Sequence, residues 1–279
     1  MIREIARPPA PERTTPDGVP AASTGPTVRR VETLAEYQEC VAIQRETWGA
    51  DFNEYVPATI LQVAQKLGGV VAGAFAADGR MLGFVFGMTG VVDGRLVHWS
   101  DMLAVRPEAR GGRLGERLKH YQRGLARATG ARAMYWTFDP LVARNAHLNL
   151  ARLGAHVVEY VPNMYGDSTG SPLHGAMPTD RLVVEWDLAS LDGVPSDGVP
   201  GDSVPADDVP HDAGSRDDAP RVHIAVPPDL QAVPPELRAT WRATTREAFL
   251  AYLGRGYVVR GFCRAADGDL PYYDLERAA

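Results

Sequence analysis

A mixed α/β (α+β) fold, with a central mixed sheet flanked by helices and a small C-terminal αβ extension, is predicted for this chain by three features. The stretch 103–118, LAVRPEARGGRLGERL, runs a short apolar strand into a Gly-rich turn that opens an amphipathic helix. An Asp93-Gly94 pair lies between two β-rich runs and signals a hairpin. The first half of residues 27–188 reads as β-rich and the second half as alternating strand and helix, which suits a mixed sheet.

In chain order, the apolar periodicities predict a strand at 28–33, helices at 34–48 and 57–67, and strands at 70–77, 81–92 and 95–105. A helix at 112–129 follows the Gly-rich turn and stops near Thr129-Gly130. The run AMYWTFDP gives a strand at 133–138. RNAHLNLARLGA gives a helix at 145–153, and strands at 155–160 and 181–187 complete the set. Farther on come a strand at 221–226, a helix at 235–254 and a strand pair within 257–276. The predicted organisation is a disordered tail at 1–26, a main domain at 27–188, a linker at 189–220 and an extension at 221–279. The extension is too short to hold much core alone and is expected to dock on the main domain.

Composition narrows the function classes. A 279-residue chain with 45% hydrophobic residues can bury a substantial core. The formal charge of −6 is concentrated in residues 190–220, where eight Asp stand against Arg216 alone, leaving the rest near +1. The folded part therefore carries no nucleic-acid footprint. The acidic segment repeats DGVPS-DGVPG-DSVPA-DDVPH, in which Pro removes donors and Asp repels Asp, so a solvated spacer is expected, with a repeat-binding role as the alternative. Cys40 and Cys263 are far apart without CxxC spacing, so neither a zinc site nor a disulfide framework is indicated. The N-terminus lacks an apolar h-region and no run approaches 18 apolar residues, so a cytoplasmic enzyme that avoids membranes is expected.

The Gly-rich turn is a candidate phosphate cradle. Gly111, Gly112 and Gly115 carry no Cβ to hold an anion off the backbone, and the free N–H groups of the helix point where its positive dipole end does. Arg110 and Arg113 add positive charge beside it. The Lys-Ser/Thr ending of a nucleotide P-loop is missing, and no acidic residue stands where a dinucleotide ribose would need it.

The VRPEARGGRLG string resembles the acyl-CoA pyrophosphate loop of the GNAT acyltransferases, an R-G-x-G-hydrophobic-G run. Arg110, Gly111, Leu114 and Gly115 match it, whereas Arg113 stands where that family usually has its second Gly. Gly154 stands where GNAT proteins carry Leu-Gly-Phe, and Asn145 where the family commonly contacts CoA pantetheine or phosphates. WTFDPL, RNAHLNLARLGA, PNMYG and PTDRLVVEW together resemble a bacterial subgroup of predicted acetyltransferases over most of residues 28–188. AVPPDLQ, WRATTREAFLAYLGRGY and PYYDLER resemble that subgroup's C-terminal extension.

The resemblance implies direct attack of an amine on an acyl-CoA thioester, with acetyl-CoA as the default donor and succinyl-CoA as the other. Backbone N–H groups around Leu103, Ala104 and Val105, at the splayed end of the strand, are then expected to hold the donor and its oxyanion. A proton acceptor is needed for the amine. Asp101 is the first candidate, two residues before Leu103 and so expected on the same face of the strand, with a capping or pairing role as the alternative. His147, on the helix after the fifth strand, is the second. The family's usual thiol-protonating Tyr is replaced by Leu150, which leaves Tyr165 of the Pro162–Gly166 loop as a candidate acid, with a structural turn Tyr as the alternative. Arg242 and Arg246, four apart on one helix face, and Arg181 are candidates for a carboxylate on the donor or on an amino-acid acceptor, against solvated or salt-bridged surface arginines as the default. The expected partner is a small amine or amino acid, a homodimer is left open, and the competing class is a CoA-binding sensor or interaction module with little or no catalysis.

Overall fold

The structure, a computed structural model, describes residues 25–166, 170, 171, 177–189, 219–264 and 269–278. The expected tail and acidic linker lie, apart from their ends, outside the described residues.

The first strand, β1 (Thr27–Arg30), ends three residues sooner than the sequence suggests because Thr33 is taken up as a helix cap. Thr33 Oγ1 accepts from the Glu36 N–H at 3.2 Å and the Glu36 carboxylate accepts from the Thr33 N–H at 3.2 Å. This reciprocal box starts α1 (Leu34–Trp48) and satisfies two N–H groups that the helix leaves unpaired. Helix α2 (Ala58–Lys66) leads into β2 (Val70–Phe75), buried along its whole length. Strands β3 (Met81–Val92) and β4 (Arg95–Val105) form the expected hairpin. Asp93 (φ 49°) and Gly94 (φ 73°) supply its two left-handed residues.

Helix α3 (Leu114–Ala128) returns the chain to β5 (Ala133–Phe138), which runs parallel to β4. Helix α4 (Ala143–Ala146) starts two residues before its expected position and winds on as a π-helical turn through His147–Arg152, where the Leu153 N–H bonds to the Leu148 carbonyl. Strand β6 (His156–Val161) takes the sheet edge, and β7 (Arg181–Asp187) inserts between it and β5. The order is β1-β2-β3-β4-β5-β7-β6, antiparallel except between β4 and β5.

Alternation along β2, β3 and β4 separates two packed layers. Phe84, Phe86, Met102 and Ala104 face α1 and α2, whereas Val70, Ala72, Leu82, Val85, Leu103 and Val105 face Leu114 and Leu118 of α3. The C-terminal elements β8 (Arg221–Ala225), α5 (Pro235–Gly254), β9 (Tyr257–Cys263) and β10 (Tyr272–Arg277) build a second sheet, ordered β8-β10-β9. They do more than dock. Val222, Ile224, Phe249 and Tyr273 belong to one cluster with Trp136, Leu182 and Val184 of the large sheet, and Tyr273 donates to the Pro140 carbonyl at 2.7 Å. Burying Phe249 alone contributes roughly 1.5–3 kcal/mol, and its ring stacks on Tyr160 of β6 at 5.1 Å.

Candidate functional site

The Gly-rich turn folds as a nest. Gly111 takes φ 87°, which glycine adopts without strain, and Arg113 is left-handed as well, at φ 57° and ψ 19°. The position where the resemblance expects Gly therefore keeps a glycine-like backbone while carrying Arg, at roughly 1–2 kcal/mol of local strain. No side chain caps α3, and its first backbone bond runs from the Arg117 N–H to the Arg113 carbonyl, so the N–H groups of Leu114, Gly115 and Glu116 stand at the positive end of the helix without intrahelical partners. A cleft beside the nest is lined by Gly112, Arg113, Glu116, Arg117 and His120 of the turn and α3. A Cβ on Gly112 would meet open space, and one on Gly115 would make ordinary contact with Leu103, so Gly111 is the glycine that the backbone itself demands. The arginines are anchored rather than mobile. Arg110 Nε donates to the Val105 carbonyl at 3.0 Å, and Arg113 pairs with Glu116, which also receives Arg152 of the π-turn at 2.6 Å.

Beside the nest the sheet opens. Strands β4 and β5 pair only from Val97 to Trp99 against Ala133 to Tyr135. Beyond that point β4 stays bonded to β3 while β5 follows β7, so the edge of β4 from Ser100 to Val105, with Leu103 and Ala104, borders a gap between two parallel strands.

Asp101 sits where that gap begins, and its placement corrects the expectation from simple alternation. In the β3–β4 register Phe86 faces Met102 and Gly87 faces Ser100, so Asp101 is the extra residue of a β-bulge. Ser100 contacts α3 and Leu103 packs on the α3 side, whereas Met102 packs on the α1 and α2 side. The bulge thus turns Asp101 with Met102 toward α1 and α2, opposite to Leu103. The carboxyl keeps solvent access with protein around most of it, and burial followed by the field of Glu54, in the α1–α2 connection, raises its pKa.

Tyr165 lies on the same face. Its hydroxyl is 3.1 Å from Thr137 Oγ1 of β5, it is 38% exposed, and the Arg181 guanidinium stands 5.2 Å from its ring centroid. The Thr179-Asp180-Arg181 string, whose role the sequence leaves open, pins this loop. Thr179 Oγ1 accepts from the Tyr165 N–H and donates to the Gly166 carbonyl, both at 2.9 Å. The Asp180 carboxylate accepts from Tyr160 Oη at 2.6 Å, from the Asn163 N–H at 2.9 Å and from Arg246. Arg246 and Arg242 are thus held by carboxylates of the chain itself, Arg242 by Asp139 at 2.5 Å, with Arg181 3.8 Å from the same Asp139. His147 lies on the other face, that of α3, and burial followed by Arg264 and Arg152 lowers its pKa. Asn145 is half-buried at the start of α4, and Leu150 is a core residue.

Sequence reasoning missed a buried polar chain on α3. Lys119 Nζ donates to Ser100 Oγ at 2.7 Å, Ser100 donates to Gln122 Oε1 at 2.8 Å, and Gln122 Nε2 is 3.1 Å from His98 Nε2. His98 Nδ1 lies 3.0 Å from Thr89 Oγ1, which donates to the Gly68 carbonyl at 2.8 Å. An amide nitrogen only donates, so His98 accepts at Nε2 and carries its proton on Nδ1. Burial, then Lys119, lowers His98 to about 4, which keeps it neutral. The signal was present in the helix: Lys119 and Gln122 share the spacing of Gly115 and Ala126 and so belong to the stripe that faces the sheet.

Among the described residues no group of three His, Cys, Asp or Glu is placed to hold a metal ion, and no helix is long and apolar enough to cross a membrane. No protein-family model and no curated protein matches the sequence. Solved structures do. A GNAT-superfamily phosphinothricin acetyltransferase from Sinorhizobium meliloti in complex with AcCoA matches at 19% identity and TM-score 0.47, over 63% of this chain and 98% of that one. An aminoglycoside 6'-acetyltransferase type Ii matches at 15% identity and TM-score 0.47, over 60% and 99%. An N-acetyltransferase from Staphylococcus aureus Mu50 matches at 16% identity and TM-score 0.47, over 58% and 98%.

Proposed function

We propose that the chain is an acyl-CoA-dependent N-acyltransferase of the GNAT type, acting on a small amine or amino acid by direct attack in a ternary complex. The observation that carries this reading is the gap between β4 and β5, which runs from the anion nest of α3 to the bulge that holds Asp101. Pyrophosphate sits on the N–H groups of the nest with Arg110 beside it, and the pantetheine follows the unpaired edge of β4, where the backbone near Leu103 and Ala104 receives the thioester carbonyl. Asn145 contacts the same arm. The acceptor enters from the face of α1 and α2, where Asp101 takes its proton and Tyr165, with Arg181 behind it, borders the site. Two substrates reach one carbonyl carbon from opposite faces, so no covalent enzyme intermediate is needed. Arg242 and Arg246 act as props for this border rather than as substrate contacts, since Asp139 and Asp180 hold them.

Titration calorimetry with acetyl-CoA and succinyl-CoA, followed by turnover of an amine and amino-acid panel with the donor that binds, tests the proposal. Failure of both donors to bind ends it. A CoA-binding module with little catalysis is the second reading, favoured by the placement of Leu150 in the core where the family carries its acid, and turnover separates the two.

A further inference from the structure

Lys119 is 3% exposed and has no carboxylate beside it among the described residues. Its Nζ donates to Ser100 Oγ and stands 3.9 Å from the centroid of the Trp136 ring. Burial pushes its pKa well below the ordinary lysine range. A buried ammonium without an anion is expensive, so such a lysine gives up its proton readily to an anion that arrives beside it.

The position of Lys119 says which anion. Trp99 and Tyr135 are the last residues that pair β4 with β5, and Ser100 and Trp136 are the next on each strand. Nζ therefore bridges the two strands at the point where they part, on the α3 side of the gap. The nest lies past the other end, and the five residue steps from Ser100 to Val105 span roughly 17 Å at about 3.3 Å per step, a length of the same order as a pantetheine arm. The thiol end of a donor anchored at the nest is thus brought to Lys119. The groups that face Nζ leave it uncommitted: Ser100 has given its hydrogen to Gln122, His98 is neutral, and Trp136 donates its ring N–H to Asn149 Oδ1 at 3.0 Å.

We propose that Lys119 is the acid that protonates the CoA thiolate as it leaves, in place of the tyrosine whose position Leu150 occupies. This rests on the reading of the β4–β5 gap as the CoA site. As the amine nitrogen bonds to the carbonyl carbon, the C–S bond breaks and its electron pair passes to sulfur. Asp101 takes one proton from the nitrogen on one face of the sheet, and the Lys119 ammonium gives one to sulfur on the other. Each regains its starting state from solvent, and the sum is an amide and a free thiol.

Calorimetry comparing CoA with desulfo-CoA, which lacks the sulfur, tests this without turnover. Wild-type protein should bind CoA about 10- to 100-fold more tightly, the range of one charge-assisted contact. Lys119→Met should lose that preference while keeping its affinity for desulfo-CoA. Equal affinities for the two ligands in the wild type, or a preference that survives in Lys119→Met, would overturn the role of Lys119 and leave the CoA site standing. Binding of neither ligand would overturn the site itself and the inference with it. Should the Met variant fail to fold, the wild-type comparison alone decides.

Discussion

Asp101 and Leu103 are two residues apart on β4 and project from opposite faces of the sheet, because the bulge at Asp101 shifts the alternation by one. A regular strand would direct both to one face, and with Leu103 toward α3 it would turn Ser100 away from Lys119 and Gln122. The bulge keeps the two polar sites apart and aims each at one side of the gap.

Asp101→Asn should lower kcat by about 10²- to 10⁴-fold with CoA affinity nearly unchanged, since a general base acts in the transition state. The raised pKa of Asp101 fixes the sign of the pH dependence. Only the carboxylate accepts a proton, so kcat/KM should climb as pH rises through that pKa and the climb should be absent in the Asn variant. A retained acidic limb in Asp101→Asn would assign the base elsewhere.

Arg110→Glu should weaken CoA binding by a few kcal/mol, through a lost charge-assisted contact and added repulsion at the nest. Calorimetry reads this directly. An unchanged affinity would show that Arg110, tied to the Val105 carbonyl, stays out of the pyrophosphate contact.

Arg113→Val should destabilise the fold by about 1–2 kcal/mol, because a β-branched residue tolerates φ 57° worse than Arg does. Thermal unfolding measures it. Arg113→Gly, which restores the residue the resemblance expects, should be no less stable than wild type within about 0.5 kcal/mol, as relief of strain offsets the entropy that glycine adds to the unfolded chain.

What was legible in the sequence follows period and punctuation. The Asp93-Gly94 hairpin, the Gly-rich turn and α5 at 235–254 stand where expected, because turn chemistry and helical periodicity are local. The bulge at Asp101 is not local. It lies across from Phe86 and Gly87 of β3, and at Gly87 a Cβ would run into His98, Gln122 and the Trp99 carbonyl, so no pattern within β4 reports its cross-strand setting. The roles of Arg242 and Arg246 were hidden for the same reason, since their partners Asp139 and Asp180 are 103 and 66 residues away. Lys119 was legible in principle, as a charge on the apolar stripe of α3.

Gly87→Ala should show how far the two faces depend on that packing. The added methyl meets both atoms of the Gln122–His98 bond, so the cost should be about 1–3 kcal/mol from overpacking, with the polar chain disrupted. Loss of stability together with a weaker preference for CoA over desulfo-CoA would tie the chain to the gap. Loss of stability alone would confine it to holding α3.

Asp180→Asn should destabilise the protein by roughly 1.5–3 kcal/mol at neutral pH, because it removes the charge from a fully buried carboxylate that holds the partly exposed guanidinium of Arg246. Burial pushes the Asp180 pKa up, but hydrogen bonds from Arg246 and Tyr160 outweigh it and hold the carboxyl below the ordinary Asp value of 3.8. A depressed folded pKa contributes stability above the unfolded value and loses it as pH falls through the folded value. Wild-type stability should therefore drop as pH falls below about 4, the unfolded Asp range, and Asp180→Asn should show a shallower acid limb. Because the same carboxylate accepts from the Asn163 N–H, the variant should also loosen the loop that carries Tyr165, read as faster amide exchange at Asn163 and Tyr165. Unchanged exchange there would separate the stability of the Arg246 contact from the shape of the acceptor border.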